Sequence, residues 1–194
     1  MNLKETMYLK ETMYLKEINK TIYRKHLNII IVSFISSLLI LALAYGQGLI
    51  ALFAEPVNHT TEQKNNFKYN FFGVVLALLS CVYALHRLRL SVFFSEVYYV
   101  WQVKQQQNAI YRKLKKIKAV AKGNTDNEDK CDNENALIIL TFYYASLKQI
   151  YQLDDNTLTM SKLNKDINEL EALIKSQQLT ISIEQYEPSM LADF

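Results

Sequence analysis

The residues able to do chemistry in this 194-residue chain are few and scattered. Cys81 stands in an apolar run and Cys131 in an acidic stretch, so they make neither a CxxC redox pair nor a zinc-ligand set. His26, His59 and His86 are widely separated, and no glycine-rich phosphate loop, nucleophile elbow or HExxH pair accompanies them. The acidic stretch Gly123–Asn135 (GNTDNEDKCDNEN) invites a calcium reading, but the spacing fails. A loop begun at Asp126 puts Cys131 where an EF-hand needs glycine and Leu137 where it needs its last glutamate. A solvated linker is the better expectation there. Asp154 and Asp155 are the one adjacent carboxylate pair in a suggestive place, and Asp-Asp-Asn-Thr is turn and capping chemistry before it is acid–base chemistry. The sequence therefore predicts a non-enzyme with no catalytic residue, cofactor or metal ligand.

Charge, by contrast, is highly organised. The chain holds 22 Lys+Arg and 19 Asp+Glu, a net charge of +3 with a mean hydropathy of −0.05, which on average describes an ordinary soluble protein. By segment the picture changes. No charge occurs from Leu27 to Ala54 or from Tyr69 to Leu85; residues 87–122 hold nine Lys/Arg and one Glu, and residues 123–194 hold five Lys and thirteen acids. Four Gly and two Pro leave little material for the turns of a β-sandwich or barrel.

The first uncharged run has 28 residues, roughly 42 Å as a helix, where the hydrocarbon layer needs ~30 Å. It is also too long for the apolar core of a cleavable signal peptide. The second is near the lower limit for a span and is extended by snorkelling of Arg87 and Arg89 toward Phe94, so its end falls between Leu85 and Phe94. Aromatic residues crowd both of its ends, as in an interfacial belt: Phe67, Tyr69, Phe71 and Phe72, then Phe93, Phe94, Tyr98, Tyr99 and Trp101. Basic residues precede the first run (Lys20, Arg24, Lys25) and follow the second (Arg87, Arg89, Lys104), whereas the intervening stretch balances Lys64 and Lys68 with Glu55 and Glu62. The positive-inside rule then puts both termini in the cytoplasm. Gly46, Gln47 and Gly48, with Tyr45 before them, suit a helix–helix contact in the first span.

Beyond the spans, Val103, Ile110, Leu114, Ile117 and Ala121 form one helical stripe. Arg112, Lys113, Lys115, Lys116 and Lys118 lie off it, and nothing between Arg87 and Trp101 demands a break from the second span. Together with Arg87 and Arg89 these are the candidate lipid- or partner-facing residues. They face anionic headgroups first, or the acidic half of this chain or of a neighbour. Nucleic acid is disfavoured, because no binding motif accompanies the charge. Ala136–Leu153 reads as a buried helix, Thr159 as a cap, Leu163, Ile167, Leu170 and Ile174 as a short seam, and Ser182 as the cap of a final short helix.

The expected fold is all-α: a two-helix transmembrane hairpin plus a cytoplasmic bundle of about three helices. Its divisions are a cytoplasmic segment 1–26, span 27–54, an outside loop 55–68, span 69–94 and a cytoplasmic region 95–194. Residues 3–8 and 9–14 both read LKETMY, a period of six that fits neither helix nor strand; Met1, Met7 and Met13 are all candidate starts, and residues 1–12 are expected to be dispensable. Function falls into two classes, a membrane-anchored interaction or scaffold module first, and a subunit of an oligomeric channel or transporter second. The partners expected are the bilayer and either a second copy or another membrane protein.

Several segments carry a resemblance: INKTIYRKHLN, GQGLIALF, NNFKYNFFGVVLALL, RLRLSVFFSEVYYVWQVKQQQNAIYRKLKKIKA and LTFYYASLKQIYQLDDNTLT. Over residues 16–190 or so the chain resembles a bacterial family of two-span membrane proteins, mostly gammaproteobacterial, catalogued as a domain of unknown function. That resemblance implies an inner-membrane location and carries over no activity or site residue. The LKETMY copies lie outside it.

Overall fold

The computed structural model describes residues 15–53, 66–123 and 130–194, and among them every regular element is helical. The LKETMY copies, most of the expected 55–68 loop with His59, and the first part of the acidic linker lie outside the described residues. Two compact units divide the chain, residues 21–98 and residues 99–194 joined by the segment ending at Lys20.

The first unit is built on α1 (Lys20–Phe53, 34 residues) and α2 (Phe67–Leu88, 22 residues). Both are long and apolar enough to cross a membrane. They meet through small residues. Gly73, Ala77 and Cys81, spaced by four on one face of α2, are buried, and a Cβ on Gly73 would come within 2.5 Å of the Gly46 nitrogen and 3.1 Å of the Ala42 carbonyl oxygen. Only glycine permits that approach. Alongside, the Tyr45 and Ser80 hydroxyls share a hydrogen bond of 3.2 Å, and Tyr69 donates to the Phe53 carbonyl at 2.8 Å, occupying an acceptor left over at the end of α1. The side chains pointing elsewhere, such as Ile35, Leu39, Ile40, Leu43 and Leu79, are exposed.

The sequence leaves room for the second span to continue into the basic helix, but it does not do so. α2 stops at Leu88, with the Arg89 N–H on the Leu85 carbonyl, and α3 (Val92–Ala121) starts after a turn in which the Ser91 carbonyl accepts from Phe94. No Pro or Gly causes the break. The turn brings the Phe93 ring against His26, with centroids 4.2 Å apart.

The second unit packs α3 from Tyr99, α4 (Lys130–Leu153) and α5 (Met160–Ser176) with two 3-10 turns, Ile183–Gln185 and Pro188–Asp193. Its core combines Ile110, Ile117 and Ala121 of α3 with Leu137, Ile139 and Phe142 of α4 and Leu163 and Leu170 of α5. Tyr186, from the connection between the 3-10 turns, is fully buried and stacks on Phe142 at 4.0 Å and 15°. The linker expected to run to Asn135 is shorter, because α4 already includes residues 130–135. Asp132 in the first turn of α4 suits the positive end of the helix dipole.

Candidate basic face and its partners

The structure separates the seven basic candidates into those held by their own unit and those left in solvent. Lys113 donates to the Leu191 carbonyl at 2.6 Å and Lys116 to the Phe194 main-chain oxygen at 3.1 Å, so both bind the C-terminal segment across α3. Lys118 stands 5.5 Å above the Tyr144 ring. Arg112 and Lys115 are exposed and make no hydrogen bond or ion pair among the described residues. In the first unit, Arg87 is exposed on the last turn of α2, and the Arg89 guanidinium lies 5.8 Å from the Tyr98 ring centroid. Part of α3's charge is thus held within its own unit, by main-chain oxygens and a ring face rather than by acids, and part faces outward.

Asp154 and Asp155 end a helix. The Asn156 N–H reaches back to the Tyr151 carbonyl at 2.9 Å while Asp155 takes φ 55°, the left-handed residue of a Schellman-type ending. Each carboxylate also has a lysine, Asp154 with Lys104 at 3.2 Å and Asp155 with Lys20. All four side chains are between 41 and 51 % exposed, so each pair contributes at most about 1 kcal/mol. The strap that carries Lys20 is fixed further by the Lys16 N–H on the Tyr99 hydroxyl (2.7 Å) and by Gln149 on the Lys16 carbonyl (2.6 Å). Burial raises the Tyr99 pKa, against the opposing effect of that N–H.

Polar chemistry inside the second unit centres on groups the sequence did not single out. Gln107 donates to the Ser146 hydroxyl at 3.0 Å, and Ser146 in turn donates to the Tyr143 carbonyl at 2.9 Å. Burial, helped by Tyr151, Tyr144, Tyr111 and Asp166, pushes the Tyr143 phenol up to about 12, and burial raises Tyr186 too, whose hydroxyl donates to the Gln106 side-chain oxygen at 3.3 Å. These are structural phenols held neutral. A groove of about 670 Å³ runs between α4, α5 and residues 179–183, walled by Tyr144, Ile167, Leu170 and Ile181, with Lys148 and Glu171 among its charged lining. Its size and apolar walls suit an apolar ligand or side chains from a partner.

Cys81 is buried as a small apolar residue in the α1–α2 contact. His26 packs on Phe93, and His86 is exposed near the end of α2. No group of three or more His, Cys, Asp or Glu able to hold a metal ion occurs among the described residues.

Among the described residues the fold is all-helical and joins an apolar helix pair to a charged bundle. The chain belongs to the family described as Protein of unknown function (DUF3087), which matches residues 13–191. No curated protein and no solved structure matches it.

Proposed function

We propose that the chain is a membrane-anchored helical interaction module, without catalytic activity, in which α1 and α2 span the inner membrane and the second unit works in the cytoplasm. One observation carries this reading. In the most apolar stretch of α1 none of the residues is buried, and in that of α2 only 17 % are. A core helix of a soluble protein would bury this surface, whereas here Ile, Leu, Val and Phe point outward along both helices. In water such exposure costs ~25 cal/mol per Å² of apolar surface, a cost that a bilayer removes. The α2 helix, at 22 residues and roughly 33 Å, also fits the hydrocarbon layer closely.

The basic flanks orient the pair with both termini inside. The buried face of each span serves the other span, and neither apolar run carries a charge, which weighs against a hydrated path and for an anchor. Arg112 and Lys115 on α3 and the apolar groove beside α5 are the surfaces offered to anionic headgroups or a protein partner. The test is extraction of native membranes with alkaline carbonate, followed by labelling of an H59C/C131S variant, which keeps no native cysteine outside the spans, with a membrane-impermeant maleimide. Retention in the pellet and labelling from outside are expected. Release by carbonate overturns the anchor, and labelling only after lysis overturns the orientation.

A further inference from the structure

The break at Arg89–Ser91 has an effect within the first unit: it folds the start of α3 back over α1 and α2 and leaves a three-walled cleft. Ile30, Phe34 and Ser37 of α1, Leu85 and Ala84 of α2 and Phe93 of α3 are among its walls, and it holds about 250 Å³. That is more than the ~150 Å³ apolar cavity that takes up benzene. Along α1 the lining runs from Ile29 to Ser37, roughly 12 Å of helix, so the space is long enough for a stretch of hydrocarbon chain.

The charges flanking this cleft are predominantly of one sign. Lys25 precedes Ile29 by one helical turn, and Arg87 and Arg89 bracket Leu88, which also lines the cleft. Glu96 is the only acid among the described residues of this unit. Leu88, between the arginines, is 49 % exposed, and Leu90 and Val92, just beyond Arg89, are 72 % and 90 % exposed. Guanidinium groups alternating with bare aliphatic side chains fit the boundary between headgroups and acyl chains, where each side chain finds its own medium.

We infer that this cleft binds one acyl chain of an anionic phospholipid whose phosphate is held by Arg87 and Arg89. The inference rests on the anchored reading above and names a specific lipid class for it. Apolar walls select a hydrocarbon chain, and the excess of cations selects a negative headgroup over a zwitterionic one.

The full chain, purified in detergent, is offered phosphatidylglycerol and phosphatidylcholine of identical acyl chains, and bound lipid is counted by native mass spectrometry. Phosphatidylglycerol is expected to be retained roughly 10- to 30-fold better, the factor two arginines supply near a lipid phosphate. An R87Q/R89Q variant is expected to bring the two lipids to parity. A84F and S37F, which narrow the cleft from opposite walls, are expected to lower retention of both lipids. Circular dichroism identifies any cleft variant that fails to fold, and the arginine pair, outside the cleft's apolar lining, then decides. Equal retention by the unaltered chain, or undiminished retention by a folded A84F or S37F, overturns the site while leaving the anchor standing. Release of the chain from membranes by carbonate overturns both.

Discussion

Gly73 lies so close to Gly46 that a Cβ on the former would sit 2.5 Å from the latter's nitrogen and 2.7 Å from its Cα, both backbone atoms with no freedom to move aside. The three helical glycines of this unit are therefore not equivalent. A Cβ on Gly46 meets the Asn70 side-chain oxygen at 2.9 Å, the far end of a side chain that can rotate, and a Cβ on Gly48 meets nothing within 4 Å. G73A is expected to destabilise the helix pair by about 1–3 kcal/mol through overpacking. G46A is expected to cost less, and G48A to be neutral or to add up to ~1 kcal/mol from helix propensity. Thermal melting of the detergent-solubilised chain, followed by circular dichroism, gives the order. A G73A variant as stable as G48A would show that the close approach does not hold the pair.

Gln178 and Asp155 both end helices with positive φ, 56° and 55°, where glycine is the relaxed residue. At Gln178 the Schellman pattern is complete, with its own N–H on Lys175 and the Leu179 N–H on Ile174. The side chain is exposed and has no partner among the described residues, so Q178G removes strain and loses nothing. A stabilisation of roughly 1 kcal/mol is expected from denaturant unfolding. D155G removes similar strain but also the pairing with Lys20, so its net change is expected to be smaller. If both variants are stabilised equally, the Lys20–Asp155 pair contributes nothing.

How far these features could be read from the sequence depends on whether their cause is local. The stripe Val103, Ile110, Leu114, Ile117, Ala121 follows from helical spacing alone, and the structure buries four of the five, with Leu114 partly buried. Ser182 caps by its own side chain, and its capping box with Gln185 is present as a four-residue pattern. Thr159 occupies the expected cap position, yet its hydroxyl makes no capping bond and only its carbonyl serves, accepting from Leu163. What escaped sequence reading is non-local. Gly46 shows as a small residue in a span, but nothing adjacent says that Gly73 is its counterpart. Lys113 and Lys116 look like solvated charges until the C-terminal segment returns beside α3. The break before Val92 has no Pro or Gly to announce it, and the contact that accompanies it, Phe93 on His26, is remote in sequence.

The buried Gln107–Ser146 bond predicts a marked asymmetry between single and double substitution. S146A leaves the Gln107 amide without its acceptor inside the bundle, at a cost of about 1–3 kcal/mol. Q107L/S146A removes both polar groups and is expected to recover most of that loss. A double-mutant cycle by denaturant unfolding measures the coupling. Additive losses would mean that the two side chains are satisfied independently.

Alkaline pH tests the buried phenols, and the sign follows from the direction of their shifts. Tyr143 is raised from 10.0 to about 12, and Tyr186 is raised as well, so the folded bundle holds both protons more tightly than the unfolded chain does. Their contribution is fully present below pH 10, where both states are neutral. It falls away as pH rises from 10 toward 12, because unfolding then releases a proton that the native state retains. Stability against denaturant is therefore expected to drop steeply across that window, with phenolate absorbance rising in step with unfolding. Y143F should make the decline shallower, since it removes one of the groups that must ionise. Tyr186 stacks on Phe142, so Y186F preserves the ring contact and loses only the 3.3 Å bond to Gln106, at a cost near 1 kcal/mol at neutral pH. Y186A also empties the space beside Phe142 and is expected to cost about 3–5 kcal/mol. An alkaline decline of unchanged slope in Y143F would show that this phenol is not held neutral by the fold.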